Sequence, residues 1–212
     1  MISVSAFKWV PPMVQGQVRD LRVRWALEEA GLKYEAHLIG FEDQATPGYR
    51  QLQPFGQVPA YRQNGLELFE SGAIVLHIAE QSEALLPKDP HRRARAVTWM
   101  FAALNSMEVV IQPLAEMDLF FSQQDWAQGY RNVLDGRVKT RLKDLAAALG
   151  AKPFLEGDFT AGDLLMTTVL RGLGHTEYVK NEPQLAAYQA RCEARPAFQR
   201  ALSAQLACFE KR

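Results

Sequence analysis

The sequence predicts an α/β domain over residues 1–82, a linker over 83–90 and an all-α domain over 91–212. Three observations carry this prediction. The first 82 residues switch repeatedly between the two-residue apolar period of a strand and the period of a helix. Pro87 and Pro90 then fall within four residues of one another. Beyond them only helical periods are found. With 212 residues the chain has room for one large domain or two small ones. Its 48% hydrophobic and 23% charged residues are ordinary globular composition, which argues against disorder.

Residues 2–7 alternate apolar and small polar side chains and read as a strand. Residues 18–30 take helical period, with Val23, Ala26, Leu27 and Ala30 on one face, and Gly31 is the stop. Tyr34, Ala36 and Leu38 mark a second strand. Thr46 followed by Pro47 is an N-cap with proline at the first helical position, opening a short helix through Leu52. Two strands, Val58–Arg62 and Leu66–Phe69, flank Asn64-Gly65, which supplies the positive φ angles of a tight hairpin turn. A helix follows Glu70-Ser71, burying Ile74, Val75, Ile78 and Ala79. These elements make a mixed four-stranded sheet with helices on its faces.

In the second half, Asp89-Pro90 is a new N-cap and first position. A long helix carries Ala94, Val97, Phe101, Leu104 and Met107, with a kink expected at Pro113. Another runs through Val133, Val138, Leu142 and Leu149 to Gly150. The run Phe159-Thr160-Ala161-Gly162-Asp163-Leu164 fits a capping box with a hydrophobic staple, opening a buried helix to about Leu173. Helices over 183–194 and 196–210 are divided by Arg195-Pro196.

Several function classes drop out. Lys plus Arg and Asp plus Glu are each 24, so the chain lacks the basic excess of a nucleic-acid binder. No apolar run approaches the ~20 residues of a membrane helix, and the N-terminus has no basic, then apolar, leader pattern. A soluble cytoplasmic protein is expected, with no nucleic-acid or membrane partner. Cys192 and Cys208 are too few for a disulfide framework or thiolate cluster, and no Cys-x-x-Cys occurs. His37, His77, His91 and His175 lack metal-ligand spacing, so no metal site is expected.

Two short motifs carry chemistry. Gln57-Val58-Pro59 heads the third strand, where proline costs no ladder hydrogen bond. A cis Val58-Pro59 bond would leave the Val58 amide and carbonyl to pair with an extended peptide. Glu70-Ser71 opens a helix, where the Ser71 hydroxyl and first-turn amides favour an anion and Glu70 an ammonium. Taken alone, each is an ordinary structural device: an edge-strand proline and a helix cap.

Together they say more. Residues 53–78, QPFGQVPAYRQNGLELFESGAIVLHI, resemble the glutathione-binding segment of glutathione S-transferases. Residues 22–35, RVRWALEEAGLKYE, resemble the first helix and second strand of that superfamily, and the FTAGD box resembles a feature of its helical domain. The resemblance implies an α/β thioredoxin-like N-terminal domain followed by an all-α C-terminal domain, with glutathione as co-substrate and a homodimer as the assembly. It further implies that Val58, beside cis Pro59, pairs with the cysteinyl unit. Ser71 would take the γ-glutamyl carboxylate and Glu70 its ammonium, with Gln57 and Gln51 reaching other parts of the tripeptide.

The chain departs from the family between the first strand and first helix. Lys8 to Asp20 contains no Tyr, Ser, Thr or Cys, one of which usually meets or replaces the glutathione sulfur. Gln17 falls about where a hydroxyl often lies, and Arg19 is the strongest single donor in the stretch. Both are candidate catalytic residues. Trp9, Trp99, Met100, Asn105 and Met107 are candidates for an electrophile pocket between the domains, although a Met and aromatic stripe also reads as core. The function expected is a glutathione transferase that conjugates the thiol to a soft electrophile, or uses it in a related thiol reaction. The alternative is a non-catalytic glutathione-binding or regulatory protein of the same fold.

Overall fold

A computed structural model describes residues 1–209. The chain divides into two compact units, one of Met1–Leu86 together with the chain from Arg195 onward, the other of Pro87–Ala194.

The first unit is built on a four-stranded sheet in the order β2-β1-β3-β4. Strand β1 (Ile2–Phe7) lies parallel to β2 (Tyr34–Ile39), with Ile2 opposite Tyr34. On its other side β1 meets β3 (Ala60–Gln63) antiparallel, with Val4 opposite Tyr61. Strands β3 and β4 (Leu66–Phe69) form the expected hairpin, and Asn64 and Gly65 both have positive φ, at 49° and 83°. Helix α1 (Asp20–Ala30) makes the crossover between the parallel strands, α2 (Pro47–Leu52) is capped by the Thr46 hydroxyl, and α3 (Ser71–Ala79) follows the hairpin. Ile74, Val75, Ile78 and Ala79 are buried as expected.

Helix α1 differs from the one-faced helix expected. It starts at Asp20, after a 3-10 turn at Pro12–Val14, and every residue from Asp20 to Leu27 is buried. The cause is the last helix, α9 (Pro196–Leu206), which covers the side of α1 turned away from the sheet. The Trp25 ring meets Phe198 at 4.8 Å, Arg195 makes bonds of 2.6 and 2.8 Å to the Glu29 carboxylate, and Gln205 donates to Asp20 at 2.6 Å. By its contacts the chain from Arg195 packs with the first unit and not with the helices that precede it. The helix expected over 196–210 ends at Leu206, and residues 210–212 lie outside the described residues.

The second unit is helical. Helix α4 (Pro90–Ala102) is capped by Asp89, whose carboxylate accepts from the Arg92 amide. A π-helical stretch, Ala103–Glu108, connects it to α5 (Val109–Phe120). The irregularity lies one turn before Pro113, whose ring and missing amide disturb the turn N-terminal to it. Helix α6 (Asp125–Leu149) begins about two turns before Val133, because Trp126 and Tyr130 in those turns are exposed and give no inward pattern. Helices α7 (Ala161–Leu170) and α8 (Pro183–Glu193) complete the unit.

The capping box at α7 is present, with the Asp163 carboxylate accepting from the Thr160 amide at 2.9 Å. Its other oxygen accepts from the Leu155 amide and the Tyr188 hydroxyl, at 2.9 and 3.0 Å. The Phe159 ring meets Phe154 edge-on at 5.5 Å. Among the described residues no helix is long and apolar enough to cross a membrane.

Candidate functional site

The β3–β4 hairpin brings the two chemical motifs to one place. Ala60 at the start of β3 is paired with Phe69 at the end of β4. The residues just outside that rung are Pro59 on one strand and Glu70 on the other. Val58-Pro59 and Glu70-Ser71 therefore flank the same open end of the hairpin.

On the first side, the Val58-Pro59 bond is cis. The Val58 amide and carbonyl make no backbone hydrogen bond to another described residue. The approach to Val58 is held from several directions. Gln44 donates to the Gly56 carbonyl at 2.5 Å, and Arg50 donates to the Pro54 carbonyl at 2.8 Å. Gly56 has φ +65°, and a Cβ there would lie 2.7 Å from the Gln44 carbonyl oxygen, so only glycine fits.

A chain of hydroxyls fixes the next residues. The Tyr49 hydroxyl donates to the Gln57 carbonyl at 2.6 Å and lies 2.8 Å from the Ser5 hydroxyl. Ser5 in turn accepts from the Ala60 amide at 2.7 Å. Tyr49 has one proton, and it goes to Gln57, so Ser5 is the donor between the two hydroxyls. Carbonyl 57 and amide 60, on either side of the cis bond, are thus tied to β1 and α2.

On the second side, Glu70 takes φ 68° and ψ 113°, a left-handed conformation uncommon for a residue with a side chain. The first intrahelical bond of α3 is from the Ile74 amide to the Glu70 carbonyl, at 3.0 Å. The amides of Ser71, Gly72 and Ala73 therefore point out of the helix end, where its dipole favours an anion. Ser71 is buried, and its hydroxyl accepts from Nη1 of the buried Arg22 at 3.2 Å. Arg22 was not singled out from the sequence. It lies in the first turn of α1 between Leu21 and Val23, and nothing in that pattern marks which way it points.

The remaining candidates are placed as follows. Gln57 and Gln51 are exposed, Gln51 on α2. Gln17 donates to the Met13 carbonyl at 3.2 Å, within its own loop, and Arg19 occupies the N-cap of α1. Asp20, next to Arg19, is buried and bound to Arg24 at 2.7 Å. Trp9 is half-buried, its ring edge-on to Phe41 at 6.3 Å. In the second unit, Trp99 donates to Glu156 at 3.0 Å, Met100 and Met107 are buried, and Asn105 is exposed. Among the described residues no group of three or more His, Cys, Asp or Glu is arranged to hold a metal ion.

A family model for the glutathione S-transferase N-terminal domain matches residues 14–80, which span both motifs. Over 204 residues the chain is 31% identical to a glutathione S-transferase of Hyoscyamus muticus, covering 86% of this chain and 92% of that protein. The chain belongs to the glutathione S-transferase family. Solved structures agree with this assignment. A glutathione transferase family member from Pseudomonas fluorescens, with two glutathione bound, superposes at a TM-score of 0.82 with 26% identity, covering 95% of this chain and 92% of that one. A theta class glutathione S-transferase from Xanthomonas axonopodis pv. citri, with glutathione bound, superposes at 0.79 with 29% identity, covering 95% and 96%. The N-terminal part of this transferase, with its four-stranded mixed sheet, is the family's thioredoxin-like domain, and the rest of the chain is mostly helical.

Proposed function

We propose that this transferase binds glutathione at the open end of the β3–β4 hairpin, holds its sulfur as thiolate and conjugates it to a soft electrophile. The observation that carries the reading is the pairing of Ala60 with Phe69, which joins an unpaired Val58 backbone to the amides of α3. Val58 pairs with the cysteinyl backbone. Ser71 and the α3 amides take the γ-glutamyl carboxylate, and Glu70 its ammonium. Gln57 and Gln51 serve the rest of the tripeptide.

A free thiol titrates near 8.5, and lowering it by one to two units requires about 1.4–2.7 kcal/mol of preferential thiolate binding. With no hydroxyl or thiol from Lys8 to Asp20, that preference falls to the amides before α1, to Arg19 and to the second N–H of the Gln17 amide. On the helical unit we assign Trp99, Asn105 and the buried Met100 and Met107 to the electrophile; Trp9 is the candidate on the first unit.

A second reading is glutathione-dependent disulfide reduction, in which two glutathiones give glutathione disulfide and the substrate leaves as thiols. The two glutathiones in the similar P. fluorescens structure favour it. We further propose a homodimer, supported by the exposed Phe55 and Phe69, whose rings lie 6.2 Å apart in an apolar patch. A cytoplasmic setting, supported by two free cysteines, and a role in detoxification complete the reading.

The test is an ultraviolet difference titration of bound glutathione against free glutathione. A thiolate pKa below that of the free thiol is expected; an unshifted value would overturn thiolate activation. Ser71→Ala should weaken glutathione binding by about tenfold or more, the scale of one hydrogen bond to a charged group. Unchanged affinity would overturn the site.

A further inference from the structure

We propose that Arg22 is a positioning residue for the γ-glutamyl carboxylate, acting through the Ser71 hydroxyl. This rests on the glutathione site described above and assigns a part of it to α1.

Arg22 is 5% exposed and its Nη1 lies 3.2 Å from Ser71 Oγ. A guanidinium only donates, whereas a hydroxyl has one proton and two lone pairs. The Arg22 bond therefore takes up a Ser71 lone pair and leaves its proton for another group. Ser71 is the first residue of α3, one position past the N-cap Glu70, and Arg22 occupies one lone pair of its hydroxyl. The hydroxyl is turned into a donor at the point where the amides of residues 71–73 also donate.

Charge acts in the same direction. The N-terminus of α3 carries the equivalent of about half a positive charge, and the Arg22 guanidinium stands against the Ser71 hydroxyl at that end. Glu70, the N-cap residue beside it, is exposed to solvent. The group recognised is thus an anion that accepts from a hydroxyl and several amides, which is a carboxylate and not an amide of the same shape.

The experiment measures the dissociation constants of two ligands by calorimetry: glutathione, and glutathione whose γ-glutamyl α-carboxyl is converted to the carboxamide. Both are measured with the full chain and with Ser71→Ala, Arg22→Met and Arg22→Lys. The wild type should prefer glutathione by about tenfold or more. Arg22→Met should lose most of that preference while its affinity for the carboxamide changes little, and Arg22→Lys should recover part of it. A purely structural Arg22 would weaken both ligands by the same factor, and that outcome, or an unchanged preference, overturns the proposal. If Arg22→Met does not fold, Arg22→Gln takes its place with the same two readings. Failure of the underlying site is separately visible: Ser71→Ala would then keep the full preference, or the wild type would show none.

Discussion

The Tyr49 hydroxyl donates to the Gln57 carbonyl and accepts from Ser5, and burial pushes its pKa up, so the proton stays available at neutral pH. Tyr49→Phe removes the donor and leaves the Gln57 carbonyl without it. We expect a loss of about 1–3 kcal/mol in stability, read by urea denaturation, together with weaker glutathione binding. Gly56→Ala should cost a similar amount, about 1–3 kcal/mol, since the new Cβ meets a carbonyl oxygen and the backbone is left-handed. At this scale the sequence was informative where a residue's own chemistry limits its use. Ser5, inside a strand that alternates apolar and small polar residues, serves the backbone and Tyr49. Val58-Pro59 and Glu70-Ser71 were legible because proline and a cap residue each have few places to go. Arg22 and Tyr49 were not legible, because the direction of a long side chain is set by neighbours distant in sequence.

Helix boundaries followed caps closely, and interiors less so. Thr46, Asp89 and Thr160 each begin a helix as read, since a cap acts within three residues. The start of α6 was missed because its first turns bury only Ala127. The Asp163 carboxylate accepts from the amides of Leu155 and Thr160 and the hydroxyls of Thr160 and Tyr188. Asp163→Ala strands these buried donors, and a loss of at least about 3 kcal/mol is expected in denaturation of the helical unit.

A second polar junction ties α5, α6 and the segment after α7. Arg131 holds Asp118 at 2.5 and 3.1 Å, and His175 reaches the same carboxylate at 3.1 Å. Burial opposes ionisation of Asp118, but these partners outweigh it and hold the carboxyl below its usual range. The stability from this pair is present above the unfolded carboxyl's pKa and is lost as pH falls through the lower, folded value. Asp118→Asn should therefore flatten the acid limb of the stability curve, measured as urea midpoints from pH 7 down to pH 3.

The two units of the whole chain do not divide at a single point along it. α9 follows the helical unit in sequence yet packs on α1, sealing Trp25 with Phe198 and the Glu29 carboxylate with Arg195. Phe198→Ala should destabilise the first unit by about 3–5 kcal/mol, the range for emptying a buried aromatic site. The effect should appear in the transition that reports glutathione binding. Loss confined to the other unit's transition would refute the packing role.

The sequence by itself determined the order of elements, the hairpin, the caps, the family resemblance and the two motifs of the candidate site. These depend on short-range backbone preferences, apolar periods and chemically restricted residues, all written within a few positions. Only the tertiary structure decided that α1 is buried on every side, that α9 belongs with the first unit and that Arg22 faces Ser71. Those outcomes depend on which surfaces meet, and a helix that buries one face in its own pattern does not say what will cover the other.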